Sequence, residues 1–268
     1  MSNILIRNNV HVLGEGNNVL LFAPGFGCDQ NMWRFVAPDF QKAYRIILFD
    51  YVGSGRSDYA AYDSTKYSEL NGYAEDIIEI CATLELEEVT IIGHSVGSTI
   101  GMLAAIKRPE LVTKLILIGP SPCYVNDPPK YFGGFEKEDL DGLINMMELN
   151  YIGWGNYLSK LVMKNPDRPE LAQELEESFC STDPDIQREF AIATFMSDYR
   201  IILSDVDTPS LILQCQEDAI APIEVGEYMS NQMPNSTMRQ MKATGHCPHM
   251  SHPKETIELI KEYLTANE

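Results

Sequence analysis

Residues 89–107 contain the feature that most restricts the fold. An apolar, β-branched run, Val89-Thr90-Ile91-Ile92, turns through Gly93-His94-Ser95-Val96-Gly97 straight into a helix-forming stretch that closes near Lys107, before Pro109. A strand that enters a helix with no intervening loop forces the middle residue into a strained backbone conformation. Glycines two positions to either side let the neighbouring chain pass close to it. Ser95 is then held out at the carboxyl edge of a sheet, with a helix N-terminus beneath it that favours negative charge. Strand, elbow and helix together match the G-x-S-x-G arrangement of an activated serine better than a serine that merely caps a helix.

The remaining chain alternates in the same way. Strands are predicted over 10–13, 19–22, 45–49, 115–118, 210–214 and 237–241, and helices over 68–86 and 255–264. The first two strands flank Gly14-Glu15-Gly16-Asn17-Asn18 and read as an antiparallel hairpin at one edge. The unbroken apolar strands imply burial on both faces, hence an α/β fold: a mostly parallel central sheet with helices on both sides. The alternation stops between 119 and 201, where Pro120, Pro122, Pro128 and Pro129 lead into helical patterns around 140–149, 158–163, 169–179 and 184–195. A helical block between two core strands reads as an inserted lid, giving a core of 1–119 and 201–268 and a lid of 120–200. Tyr124, Phe132, Phe135, Trp154, Phe195 and Met196 are candidates to line an apolar pocket under it; the competing reading is that they form the block's own core.

Twenty Lys and Arg against 39 Asp and Glu leave a net charge of −19. A surface this acidic does not gather a polyanion, which excludes DNA, RNA and anionic membranes as partners. No run approaches the roughly 18–20 apolar residues of a bilayer span. Met1-Ser2-Asn3-Ile4-Leu5-Ile6-Arg7 lacks the pattern of a secretory signal, so a cytoplasmic location is expected. The six cysteines form no C-x-x-C pair and are expected as free thiols, with no metal and no cofactor.

A serine hydroxyl needs a base to take its proton. With this elbow the acid and the histidine follow the serine in chain order, each on a loop after a later strand. Glu217 and Asp218 follow one strand, and Gly245-His246 follows the next. Asp218-x-x-x-Pro222 resembles the acid loop of hydrolases with such an elbow and favours Asp218, with Glu217 the rival. His246 is the expected base, His249 and His252 are ordinary loop residues, and His94 packs beneath the elbow. A zinc reading of His246, His249 and His252 is opposed by Pro248 and Pro253, which deny them a helix. The expected oxyanion donors are the backbone N–H groups of Val96 and Phe26, the latter in Ala23-Pro24-Gly25-Phe26-Gly27. Gly53-Ser54-Gly55-Arg56-Ser57 lacks the Lys-Ser/Thr ending of a phosphate loop.

Long blocks carry a resemblance across core and lid: Phe22-Ala23-Pro24-Gly25-Phe26-Gly27-Cys28-Asp29-Gln30, Leu48-Phe49-Asp50-Tyr51-Val52-Gly53-Ser54-Gly55, Gly119-Pro120-Ser121-Pro122-Cys123-Tyr124, Asn150-Tyr151-Ile152-Gly153-Trp154, Phe179-Cys180-Ser181-Thr182-Asp183-Pro184 and Gly245-His246-Cys247-Pro248-His249-Met250-Ser251-His252-Pro253. With the elbow, these resemble the RsbQ-like α/β-hydrolases of Bacillus and its relatives, a group similar to the strigolactone- and karrikin-receptor hydrolases of plants. The resemblance implies a triad of Ser95, Asp218 and His246, donors at Phe26 and Val96, and a four-helix lid over an apolar pocket for a small hydrophobic substrate or ligand. It also implies a role in the energy-stress response through a partner phosphatase with a PAS domain. Many relatives carry His-Gly where this chain has Pro24-Gly25, which removes a side-chain brace but no donor. A metabolic carboxylesterase without a partner and a slow, receptor-like binder are the alternatives; Ser95 excludes a haloalkane dehalogenase, which needs a carboxylate at the elbow.

Overall fold

Seven strands pair into one sheet in the computed structural model, which describes residues 3–266. The strands are β1 (His11–Leu13), β2 (Asn18–Ala23), β3 (Tyr44–Leu48), β4 (Val89–His94), β5 (Val112–Ile118), β6 (Ser210–Glu217) and β7 (Ser236–Thr244). Their order is β1-β3-β2-β4-β5-β6-β7, with β1 antiparallel to β3 and every other pairing parallel. The helices are α1 (Ile4–Arg7), α2 (Leu70–Thr83), α3 (Val96–Lys107), α4 (Lys137–Leu149), α5 (Tyr151–Met163), α6 (Pro169–Cys180), α7 (Pro184–Phe195), α8 (Ile223–Gln232), α9 (Pro248–Ser251) and α10 (Pro253–Ala266). No helix among the described residues is long and apolar enough to cross a membrane.

The expected hairpin is corrected. β1 pairs with β3, which lies between β1 and β2. Burial decides the order: every residue of β1 is exposed, whereas β2 is buried from Val19 onward, so β2 needs a neighbour on both sides and β1 belongs at the rim. Gly14 and Gly16 make the exchange possible. A β-carbon on Gly16 would lie 2.1 Å from the Ala43 carbonyl oxygen, and one on Gly14 2.3 Å from that of Tyr44, so the connecting segment runs flush against the chain entering β3.

The sheet reverses direction at β2. The chain steps outward from β2 to β3 and then crosses back to β4 on the other side, so the loops leaving the carboxyl ends of β2 and β4 open onto one crevice. Buried Asp50, just past β3, ties that rim together by accepting hydrogen bonds from Gln30 N (2.8 Å), Arg56 N (2.9 Å) and Asn9 Nδ2 (2.7 Å).

Helices α4 to α7 occupy the chain between β5 and β6 and reach the same rim. Ser178 Oγ of α6 donates to Gly27 O at 2.7 Å, and Glu174 of α6 pairs with Arg34 at 2.6 Å. Each of these helices has a local reason to start where it does. Asn150 caps α5 by accepting from Gly153 N at 3.0 Å, and Asp183 caps α7 by accepting from Asp185 N at 3.0 Å, with Pro184 supplying the preset first turn.

Candidate active site

The elbow has the strain its sequence implies. Ser95 adopts φ 54°, ψ −122°, a backbone region that L residues rarely occupy. A β-carbon on Gly93 would come within 2.5 Å of Gly97 O, and one on Gly97 within 2.5 Å of both Ala23 O and Pro24 O. The two glycines therefore let the tip of β4, the start of α3 and the loop after β2 touch backbone to backbone. Ser95 N–H donates to Ile118 O at 2.8 Å, which fixes the elbow to the neighbouring strand.

Three side chains from three strand ends converge there. His246 Nε2 lies 2.8 Å from Ser95 Oγ, and His246 Nδ1 lies 2.7 Å from Asp218 Oδ2. The other carboxylate oxygen of Asp218 accepts from Ile220 N (2.8 Å) and Ala221 N (3.1 Å), so its orientation is set by the turn that carries it. An ionised carboxylate accepts only; Nδ1 is then the protonated nitrogen of a neutral His246, and Nε2 presents a lone pair to the serine hydroxyl. Such a relay can accept a proton from the serine while the carboxylate steadies the resulting cation.

Glu217 takes no part in this arrangement. Its exposed carboxylate pairs with Lys164 at 2.7 Å, and that hydrogen bond holds its pKa below the usual value. His94 is buried under the elbow, as its sequence position implies; its Nε2 donates to the backbone carbonyl of His246 at 2.7 Å, leaving Nδ1 unprotonated. His249, expected as an ordinary loop residue in a stretch denied a helix by its prolines, instead lies wholly buried in α9, whose first turn Pro248 supplies. The rings of His246, His94, His249 and Trp33 follow one another at 4.9, 4.4 and 4.7 Å, and burial pushes His94 well below its ordinary pKa and His249 down to about 3. His252 lies further out, with Nδ1 2.9 Å from Ser251 Oγ.

The cavity over Ser95 has a volume of about 20 Å³. Leu158, Val162, Leu175, Phe179, Phe195 and Ile220 wall it, and Phe26 closes it from the β2 side. Of the aromatic candidates, Phe195 borders the cavity; Tyr124 does not, but its hydroxyl lies 3.4 Å from Ser95 Oγ, and burial raises that hydroxyl to about 12, so it stays protonated. Trp154 is fully buried one layer back, edge-on to Phe26. Phe132 is 51% exposed and, like Phe135 and Met196, does not border the cavity. Phe132 follows the Pro128-Pro129 turn, whose short bridge Asp127↔Tyr131 turns Tyr131, not Phe132, inward. Cys28 and Cys247 also border the cavity, a contact no sequence pattern announced. A larger groove of about 980 Å³ lies on the α5–α6 pair, and none of Ser95, Asp218 and His246 borders it.

This fold and this rim define a class, and the chain belongs to it: residues 18–253 match the family model of the alpha/beta hydrolase fold. Within that family its relatives include proteins named as strigolactone esterases and karrikin-insensitive receptors of plants. It is 38% identical to strigolactone esterase RMS3 of Pisum sativum over 93% of this chain and 94% of that protein. It is 34% identical to Karrikin insensitive 2 receptor CA of Petunia hybrida over 96% of this chain and 95% of that one. Among solved structures, a hydrolase from Oleispira antarctica superposes with a TM-score of 0.96 at 47% identity, covering 98% of this chain and 96% of that chain.

Proposed function

We propose that this protein is a serine carboxylesterase for small hydrophobic esters, with Ser95 as nucleophile, His246 as general base and acid, and Asp218 as the acid that orients it. The observation that carries the reading is the unbroken relay of 2.7 and 2.8 Å from Asp218 through His246 to Ser95. Ser95 Oγ attacks the acyl carbonyl carbon as its proton passes to His246 Nε2. The carbonyl oxygen becomes an oxyanion facing the N–H groups of Phe26 and Val96. Val96 is the first residue of α3, so its N–H has no acceptor within the helix and is free for this role. Collapse expels the alkoxide, which takes the proton from Nε2. Water, deprotonated by the same nitrogen, then attacks the acyl-enzyme, and the acid leaves with Ser95 restored.

The blocks shared with RsbQ-like proteins support a regulatory setting in the cytoplasm, where hydrolysis or occupancy of the pocket is read by a PAS-domain phosphatase. A receptor-like variant of this reading draws on one observation: the recess over Ser95 is small, about 20 Å³. The test is hydrolysis of a chain-length series of p-nitrophenyl esters by wild type and Ser95→Ala, with intact-mass detection of adducts. Sustained turnover that disappears in Ser95→Ala supports the esterase. A single burst with a lasting adduct supports the receptor variant, and full activity in Ser95→Ala overturns both.

A further inference from the structure

The closing turn of α5 faces two ways. Leu158 and Val162 form part of the cavity wall, while the residues that follow grip the loop carrying His246. His246 N–H donates to Val162 O at 2.8 Å. Asn165, buried, donates through Nδ2 to Met163 O (2.6 Å) and to Thr244 O (3.0 Å), and its Oδ1 accepts from Arg168 Nη2 at 2.8 Å. Arg168 in turn donates through Nη1 to Ser251 O. Gly245, at φ 83°, lets the two segments meet, since a β-carbon there would lie 2.2 Å from Met163 O. The backbone of His246 is thus fastened to a helix of the 120–200 block as well as to β6, through Gly245 N to Glu217 O at 2.8 Å.

We propose that Asn165 is a positioning residue for the catalytic histidine, clamping the end of α5 to residues 244–246 so that His246 lines up with Ser95 only while α5 is seated on the core. The proposal rests on the triad reading above. A shift of α5 away from the core would withdraw the Val162 carbonyl from His246 N–H. The seat of α5 and the alignment of the relay are therefore coupled through one set of hydrogen bonds.

The test compares wild type, Asn165→Ala, Arg168→Gln and the double variant on p-nitrophenyl butyrate, together with the rate at which a small fluorophosphonate labels Ser95. Misplacing a reacting group by about 1 Å costs on the order of 100-fold, so Asn165→Ala is expected to lower kcat and the labelling rate together by about 10- to 100-fold, with KM within about threefold. Because both residues serve one clamp, the double variant is expected to be no slower than the product of the singles would require, and close to Asn165→Ala alone. A folded Asn165→Ala with kcat and labelling within twofold of wild type overturns the proposal, as does a loss confined to thermal stability. If Asn165→Ala does not fold, Arg168→Gln decides: a threefold or larger fall in kcat at constant KM supports the clamp, and an unchanged kcat overturns it. Ser95→Ala run alongside separates the two levels, because labelling or turnover that survives in it sinks the triad reading whatever the clamp variants do.

Discussion

Replacing Asp218 by Asn changes one atom of the relay, and the surroundings of that atom set the size of the effect. Asp218 Oδ1 accepts two backbone N–H bonds, from Ile220 and Ala221, and Oδ2 accepts one from His246 Nδ1. An Asn amide must place its oxygen on one side and its NH₂ on the other. With the oxygen toward Ile220 and Ala221, the NH₂ faces Nδ1, the imidazole takes the other tautomer, and Nε2 carries a hydrogen where it should accept one from Ser95. With the amide turned over, the tautomer is right, but two backbone N–H groups are left facing an NH₂. Unmet buried hydrogen bonds cost about 1–3 kcal/mol each, so the competent orientation lies ~2–6 kcal/mol above the other. At about 1.4 kcal/mol per decade this predicts a loss of roughly 30- to 10⁴-fold in kcat, in the range of the same swap in a serine-protease triad. Steady-state ester hydrolysis at pH 8, with circular dichroism to show an intact fold, measures it, and Glu217→Gln is the control expected within twofold of wild type. A loss below tenfold in folded Asp218→Asn, or an equal loss in Glu217→Gln, refutes the reasoning.

Two further outcomes follow from close packing. Gly97→Ala puts a methyl 2.5 Å from the carbonyl oxygens of Ala23 and Pro24, which are backbone and cannot swing away; a loss of roughly 1–3 kcal/mol in stability is expected, with a fall in kcat as the loop bearing Phe26 is displaced. Thermal melts and kinetics at wild-type values would count against it. Burial keeps His94 and His249 neutral, with His249 lowered from 6.5 to about 3, so each gains a proton on unfolding below pH 6.5 and none above it. Stability is therefore expected to decline as pH falls from 6.5 toward 3, by up to ~1.4 kcal/mol per pH unit for each histidine. His249→Phe, which keeps the stack on Trp33, should flatten the urea midpoint between pH 6.5 and 4.5; an unaltered slope would remove His249 from the account.

What the sequence made legible is what depends on neighbours along the chain. The elbow was readable because strand, glycines and helix lie within a single stretch, 89–107, and the helices between β5 and β6 because each carries its own apolar stripe and several carry a local start signal, Asn150, Pro169 or Asp183-Pro184. Strand order was not readable from the hairpin-like spacing of residues 10–22, since β3, which separates β1 from β2, enters from 20 residues further on and is admitted by close approach at Gly14 and Gly16. Glu217 and Asp218 are adjacent in the chain, and only the turn through Ile220 and Ala221, with Lys164 drawing Glu217 outward, tells them apart. Aromatic content identified an apolar interior but could not rank Phe132 against Phe195, because which face of the 120–135 segment turns inward is decided by packing. Asn165 and Arg168 left no signal at all, for their partners Thr244 and Ser251 lie about 80 residues away.

The ring of Phe26 lies 5.1–6.2 Å from those of Trp154, Phe179, Phe190 and Phe195, which come from α5, α6 and α7. The residue whose amide is proposed to meet the oxyanion is thereby also the floor on which the overlying helices rest. Enlarging the pocket at Phe179 or Phe195 for a bulkier acyl chain would let Phe26 settle and carry its amide with it. Breadth of substrate and speed of turnover are in this protein coupled traits, and selection for a new substrate would have to repair the second each time it altered the first.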